Sequence, residues 1–461
     1  MSIEMRLLED LAGQADLCDE ALRNTIVLHI NHCMDNSFEF SRILGSLFRT
    51  VIFVGAPYNE NIPPEDPSFI GYSAVESEEG TYTIYRNCRK DETFQGYFSD
   101  CVHKLIRIAF EKDILPSLLN GNRLLIFEDG GYHYDVVREL VEDYPQIRNK
   151  ILGVVEQTTS GTVKGRRSGT KEAYSYPQLS VARSAVKMNI ESIFIAERVI
   201  EELALYLYSI NTFLDFHHIL LIGYGVIGRK IAETLAVRNV DIQVYDTEPA
   251  IREVACEDGY KAPEIITPET FSSDTIVIGN TGCASFSEEM LSAFFEGDAE
   301  KIYLVSSSSQ EEEFIIFLSM LRGDRSFPEG IVLREQTSFE GTDVYQFLFT
   351  DTDGKQKKKE IYLIAKGRPV NFFRQDVISL TNCVIDLVFS EMFYLGLWLC
   401  NHPDMEKKLH LLGKDSAFSG ETHEKELFKK WLSIYHLSEQ AGMAAFSNRH
   451  PAADLLREML V

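Results

Sequence analysis

Three glycines constrain this chain more tightly than any other feature. Gly223, Gly225 and Gly228 stand between an apolar run, HILLI (218–222), and an amphipathic stretch, GRKIAETLA (228–236). A strand that turns at once into a helix needs the first glycine for the tight turn. It needs the second so that backbone can lie against a ligand, and the third so that helix can pack on strand. The helix start then offers unpaired N–H groups to an anion. The next apolar run, VDIQVYD, ends at Asp246. A carboxylate there accepts both hydroxyls of a ribose and repels a 2′-phosphate, which favours NAD over NADP. This register predicts a Rossmann unit that binds NAD through Gly223, Gly225, Val226, Ile227, Gly228 and Asp246. The alternative is a tight turn in a domain that binds no nucleotide.

Strands and helices alternate on both sides of this turn. Residues 1–60 read as helix, strand, helix, strand, with TIVLHI and VIFVGAP as the apolar runs. The Pro-rich stretch 58–67 reads as a loop. A helix through 98–110 precedes RLLIFEDGG, an apolar strand ending in a carboxylate and two glycines. The polar segment 158–177 interrupts the pattern, and a long helical pattern runs from 180 to 214. Beyond TIVIGNTG and KIYLVSS comes a hairpin with its turn at Asp353-Gly354, and its KQKKK run (355–359) reads as a solvated tip. The fold expected is α/β, with two domains built on doubly wound parallel sheets. Residues 1–185 and a return helix near 375–400 form a discontinuous substrate-side domain. Residues 190–370 form the inserted Rossmann NAD domain, and 401–461 a separate helical C-terminal appendage. The ligand cleft is expected between the domains, at the carboxyl ends of the strands.

Charge narrows the partners. The 461 residues carry 45 Lys and Arg against 70 Asp and Glu, a net charge of −25. Such a surface repels nucleic acid and anionic membranes. The acidic start lacks the basic and apolar segments of a secretory signal. The most apolar run, near Met392–Leu399, is too short to span a bilayer and reads as a buried helix face. Eight scattered cysteines without a C-x-x-C pair fit reduced thiols in a cytoplasmic protein, and no metal site is expected. His133, His217 and His218 read as structural or exposed.

Several segments around the glycine turn resemble the S-adenosylhomocysteine hydrolase family. FEDGGY (127–132) is similar to its DDGGD, VEQTTSG (155–161) to SEETTTG, and GYGVIG to GYGDVG. NTGCASF (280–286) is similar to TTGCIDI, and AKGRPVNF (365–372) to AEGRLVNL. The matches run in order over roughly residues 25–395. The resemblance implies an enzyme that uses firmly held NAD to oxidise a ribose 3′-hydroxyl, so that the 5′ group can leave and water can add before re-reduction. It also implies a small, nucleoside-like substrate and a homo-oligomer.

Carried over position by position, the resemblance places Thr158, Thr159, Ser160, Asn280, Thr281, Gly282 and Asn371 at the cofactor. Lys187 falls on the family's catalytic lysine and Glu191 on the carboxylate beside it. Asp129 falls on the catalytic aspartate and His32 on the N-terminal histidine, with His29 as a rival. Taken without the resemblance, Lys187 and Glu191 are an i,i+4 pair on a solvated helix, Asp129 is a turn acid and His32 a structural histidine. The substrate end departs from the family. Gln157 replaces a sugar-binding glutamate and cannot ionise. Ser308 or a neighbour replaces a histidine facing the 5′ position, and Ala196 a cysteine near the nicotinamide. The segment after Asn371 is shortened, and the family's tail, which reaches into a neighbouring protomer's NAD site, is not recognisable in 401–461. Ordinary S-adenosylhomocysteine hydrolysis is therefore in doubt. Oxidation at a ribose 3′-type carbon of a nucleoside-like or sugar-like alcohol is the leading expectation. The alternative is a non-catalytic NAD-binding homologue with a structural, sensing or assembly role.

Overall fold

The computed structural model describes residues 4–15, 19–58, 61–78, 80–169, 175–308, 313–339, 341–350, 356–371, 380–413 and 420–459. The chain divides into two units. The first comprises Met1–Glu191, Thr381–Arg449 and Asp454–Val461, and the second Ser192–Leu380 and His450–Ala453.

The first unit is built on β1 (Thr25–His32), β2 (Thr50–Ala56), β3 (Ile70–Glu78), β4 (Thr81–Arg86), β5 (Arg89–Gln95), β6 (Arg123–Glu128), β7 (Ile151–Glu156) and β8 (Gln178–Ser180). With the short strand Leu409–Leu411 they form one sheet, ordered Leu409–Leu411, β8, β7, β6, β1, β2, β3, β4, β5. All neighbours from Leu409–Leu411 to β3 are parallel, and the hairpins β3–β4 and β4–β5 are antiparallel. The continuous apolar runs of β1, β2, β6 and β7 suit strands covered on both faces. The chain lays β2 on one side of β1 and β6 on the other, so connections diverge at the carboxyl ends of β1 and β6.

The second unit holds β9 (His218–Ile222), β10 (Asp241–Tyr245), β11 (Thr275–Gly279), β12 (Lys301–Ser306), β13 (Val332–Phe339), β14 (Thr342–Thr350) and β15 (Gln356–Leu363). Their order is β10, β9, β11, β12, β15, β14, β13, parallel as far as β15 and antiparallel beyond it. Here the connections diverge at β9 and β11. Both sheets are therefore doubly wound, as expected, but each carries an antiparallel edge.

Several local expectations are corrected. Much of the polar stretch 158–177 is a helix, Thr159–Gly169, while 170–174 lie outside the described residues. Its glycines are spacers: a Cβ on Gly161 would stand 2.2 Å from the Glu156 carboxylate, and one on Gly165 would stand 2.4 Å from the Tyr134 hydroxyl. The helical pattern expected from 180 instead opens with strand β8, then a π-turn, Lys187–Glu191, before the α-helix Ser192–Ser209. Lys359, assigned to a solvated tip, is 4% exposed and donates to the carbonyls of Phe294 and Gly297 at 2.5 and 2.6 Å, where burial pushes its ammonium down to about 8. The turn at Asp353-Gly354 lies outside the described residues.

The described residues within 401–449 do not form a separate body but pack within the first unit. The return helix Asn382–Asn401 is long and apolar enough to cross a membrane, yet 78% of its most apolar window is buried in the protein. Its Asp386 accepts hydrogen bonds from the N–H groups of Leu7 and Leu8 (2.9 and 3.0 Å) and from the Tyr435 hydroxyl (2.7 Å). One buried carboxylate thus ties the N-terminal helix Arg6–Gln14 and the helix Gly420–Ile434 to the core helix. Asp386→Ala leaves buried donors unmatched and is expected to cost about 1–3 kcal/mol in urea unfolding, with the secondary structure kept.

Candidate functional site

In the first unit, the carboxyl ends of β1, β6 and β7 and the turn after β8 bring the expected residues together. His32 ends β1 and Asp129 follows β6; His32 Nε2 and Asp129 Oδ2 are 3.8 Å apart, with both side chains slightly exposed. The loops step up from strand to strand: Asp129 N donates to Ile30 O, Gln157 N to Glu128 O, and Val181 N to Glu156 O. Gln157 is buried, and its Oε1 accepts from Asn31 Nδ2 at 3.3 Å. His29, the rival, is a core histidine: its Nδ1 meets Ser41 Oγ at 2.8 Å, rings of Phe40 and Phe53 surround it, and burial pushes it down to about 3.

Two acids that the sequence reading passed over organise these loops. Glu156 Oε1 accepts from Gly130 N (3.1 Å), Thr158 N (2.8 Å) and Thr158 Oγ1 (2.7 Å), while Oε2 is buried without a partner among the described residues. Burial, with Asp129 adding repulsion, pushes this carboxyl up to about 7. Glu128 accepts from the N–H groups of Tyr132 and His133 and pairs with the His133 ring, whose Nε2 meets Tyr176 Oη at 3.0 Å. Beside Asp129, the Tyr132 and Tyr58 hydroxyls meet at 2.8 Å, and Tyr58 lies 4.6 Å from the His32 ring. The signal for Glu156 was available, an acid closing an apolar strand as Glu128 does; nothing marked the tyrosines.

Lys187 and Glu191 form a buried pair, not a solvated one. Lys187 Nζ lies 2.6 Å from Glu191 Oε1 and 2.5 Å from Oε2, with side-chain exposures of 12% and 4%. Burial raises the Glu191 carboxyl, and Lys187 opposes that rise. The π-turn that carries them is held just before its start and at its middle residue. Ser184 Oγ donates to Glu391 at 2.8 Å, Ala185 N to Glu424 at 2.5 Å, and Asn189 Nδ2 to Phe446 O at 2.7 Å. Such turns are frequent at functional sites. Thr158, Thr159 and Ser160 lie at the start of the helix Thr159–Gly169, Thr158 turned to Glu156 and Ser160 exposed.

In the second unit, the glycine turn has the geometry its spacing predicts. Gly223 has φ +96, and a Cβ there would stand 2.6 Å from Asn280 O; one on Gly228 would stand 2.0 Å from Gly223 O. Gly225 faces open space, and the helix Val226–Leu235 starts behind it. Asp246 accepts from Tyr224 N at 2.8 Å and Glu248 N at 2.9 Å. Asn371 is buried, and its Oδ1 has no partner among the described residues. The open face at Gly225 and this orphaned acceptor fit a dinucleotide.

The loop after β11 is different. Glu313, fully buried, accepts from Thr281 N and Gly282 N, both at 2.6 Å, and from Thr281 Oγ1 at 2.9 Å; Ser308 Oγ also donates to it. The donors expected to meet ligand at Thr281, Gly282 and Ser308 are therefore turned to an internal carboxylate. Asn280 Oδ1 accepts from Ser307 Oγ at 2.9 Å. Ala196 is buried in the helix Ser192–Ser209, and His218 pairs with Asp241 at 3.0 Å. Residues 309–312 and the shortened segment 372–379 lie outside the described residues. No group of metal ligands occurs among the described residues.

Two stability measurements check these charge states. Lys187→Met strands the Glu191 carboxylate and should cost about 3 kcal/mol near neutral pH, most of it recovered when Glu191→Leu is added. Glu156 titrates at about 7 in the fold against an ordinary 4.5. In that window the native chain holds a proton the unfolded chain has lost, so stability falls as pH rises. Glu156→Gln keeps an acceptor for Gly130 and Thr158, and its melting temperature should be flatter between those two pH values than that of the unaltered protein.

No family model matches the chain. Among curated proteins it is similar to the adenosylhomocysteinases of Halobacterium salinarum (26% identical over 149 residues, 32% of this chain and 34% of that one) and Haloquadratum walsbyi (23% over 193 residues, 37% and 43%). That of Acinetobacter baylyi is 25% identical over 144 residues, 31% and 29% of the two chains. The matches thus span less than half the length of these relatives. Among solved structures it is similar to a dipicolinate synthase chain from Bacillus halodurans (TM-score 0.34, 11% identity, 66% of this chain and 88% of that one). An NAD-dependent formate dehydrogenase from Staphylococcus aureus, in complex with NAD, gives a TM-score of 0.30 at 15% identity over 47% and 66%. The fold assignment rests on the sheet order instead. The motif resemblance and the curated relatives agree: over about a third of its length the chain is similar to adenosylhomocysteinases, and its fold is α/β and Rossmann-like.

Proposed function

We propose that this protein is an NAD-dependent enzyme that oxidises a nucleoside-like or sugar-like alcohol at a ribose 3′-type carbon. The observation that carries the reading is the gathering of His32, Asp129, Gln157, Lys187 and Glu191 at the carboxyl ends of neighbouring parallel strands and the turn beyond them. Ligand crevices in doubly wound sheets lie where the connections diverge. The glycine turn, Asp246 and Asn371 would hold NAD, which when bound supplies the hydride acceptor.

The chain's own residues handle protons. Lys187 Nζ passes a proton to Glu191, whose carboxyl burial raises, and the neutral amine so formed takes the hydroxyl proton as the alcohol is oxidised. His32 and Asp129 form a second proton-carrying pair. Gln157 has its carboxamide oxygen turned to Asn31 and so offers N–H groups to a sugar oxygen, a neutral role unlike that of a glutamate. The reading takes a small molecule as partner, a homo-oligomer as the assembled form, and the cytoplasm as its place.

A second reading, a non-catalytic NAD-binding homologue, is favoured by Glu313. It engages Thr281, Gly282 and Ser308, groups otherwise assigned to ligand. Purified protein incubated with adenosine, S-adenosylhomocysteine and a wider nucleoside panel separates the two. The enzyme reading expects NADH absorbance to rise with at least one of them, and Lys187→Ala to slow that rise by about 10²–10⁴-fold. Bound dinucleotide with no absorbance change and no product across the panel leaves the second reading.

A further inference from the structure

We infer that His450, near the C-terminus, is a positioning residue for the dinucleotide turn, setting the direction of the Gly225 N–H; this rests on the NAD reading above. Residues His450–Ala453 belong to the second unit, although the chain on either side of them belongs to the first. His450 is 5% exposed, and its Nε2 lies 3.3 Å from the carbonyl oxygen of Tyr224, the residue between the first two glycines. Ala452 N donates to His450 Nδ1 at 3.0 Å. Nδ1 is therefore the acceptor, the proton sits on Nε2, and Nε2–H donates to the Tyr224 carbonyl.

Tyr224 is gripped on its other sides as well. Its N–H donates to Asp246 at 2.8 Å, and its hydroxyl to Asp258 at 2.8 Å, where Arg229 also binds. Its side chain is fully buried, with the rings of Tyr260 and His450 at 5.9 and 6.4 Å. A trans peptide points its C=O and the following N–H in opposite directions. With the Tyr224 carbonyl held by His450, the Gly225 N–H must face the other way. A Cβ on Gly225 would meet nothing within 4 Å, and Gly225 caps the helix Val226–Leu235. That N–H is thus one of the donors a pyrophosphate would use. The sequence could not show this, since 226 positions separate the two partners.

The test compares His450→Ala and His450→Gln in the full chain by NAD titration, melting without cofactor, and hydrogen exchange at the Gly225 amide. His450→Ala should bind NAD about five- to tenfold more weakly, as expected for one neutral hydrogen bond, and lose some cofactor-free melting temperature because the Tyr224 carbonyl and the Ala452 N–H lose their partner. Its Gly225 amide should exchange faster. His450→Gln, whose carboxamide can donate to the same carbonyl, should restore affinity and exchange. Parental affinity and parental exchange in His450→Ala overturn the proposal. So does a loss of cofactor-free melting temperature that His450→Gln does not repair together with affinity. If the parent binds no NAD, the functional reading fails, and the Gly225 exchange rates alone decide whether His450 holds the turn.

Discussion

Parallel strands end in loops whose N–H groups have no strand partner, and in this protein carboxylates take those hydrogen bonds. Glu128 and Glu156 do so at the ends of β6 and β7, accepting from Tyr132, His133, Gly130 and Thr158. Asp246 and Glu313 do so in the second unit, accepting from Tyr224, Glu248, Thr281 and Gly282. A buried carboxylate is costly unless several donors converge on it. Once satisfied, it holds a loop in one conformation. The placement of Asp129, Gln157 and the glycine turn depends on these acids, and burial, with Asp129 adding repulsion, is why Glu156 responds to pH near neutrality.

The chemistry proposed follows from where these loops lie. Each sheet reverses its winding next to its candidate residues, at β1 and β6 in one unit and at β9 and β11 in the other. In the proposed reading the first unit supplies proton-carrying groups, and the second a turn open to phosphates. A net charge of −25 is no obstacle to a dinucleotide. Backbone N–H groups at a helix start bind phosphate without basic side chains.

What the sequence made legible was local. The glycine turn could be read because its backbone geometry permits few other residues, and β1, β6 and β7 because strands buried on both faces are continuously apolar. The helix Thr159–Gly169 was missed because its glycines, poor helix formers, are fixed by close packing against Glu156 and Tyr134. The hairpins β3–β5 carry no comparable apolar run: β5 is largely exposed. Lys187 and Glu191 were legible as a pair, but their burial depends on Glu391, Glu424 and Phe446, more than 190 residues away. Glu313 was hidden in an acidic run that gave no hint of which acid turns inward.

The central claim is that the second unit holds NAD. Mass spectrometry of the small molecules released when the purified, full-length protein is denatured tests it most directly. The account predicts NAD or NADH near one equivalent per chain, lost when Asp246→Arg removes the ribose acceptor. Absence of dinucleotide, with no binding when NAD is added back, would contradict it.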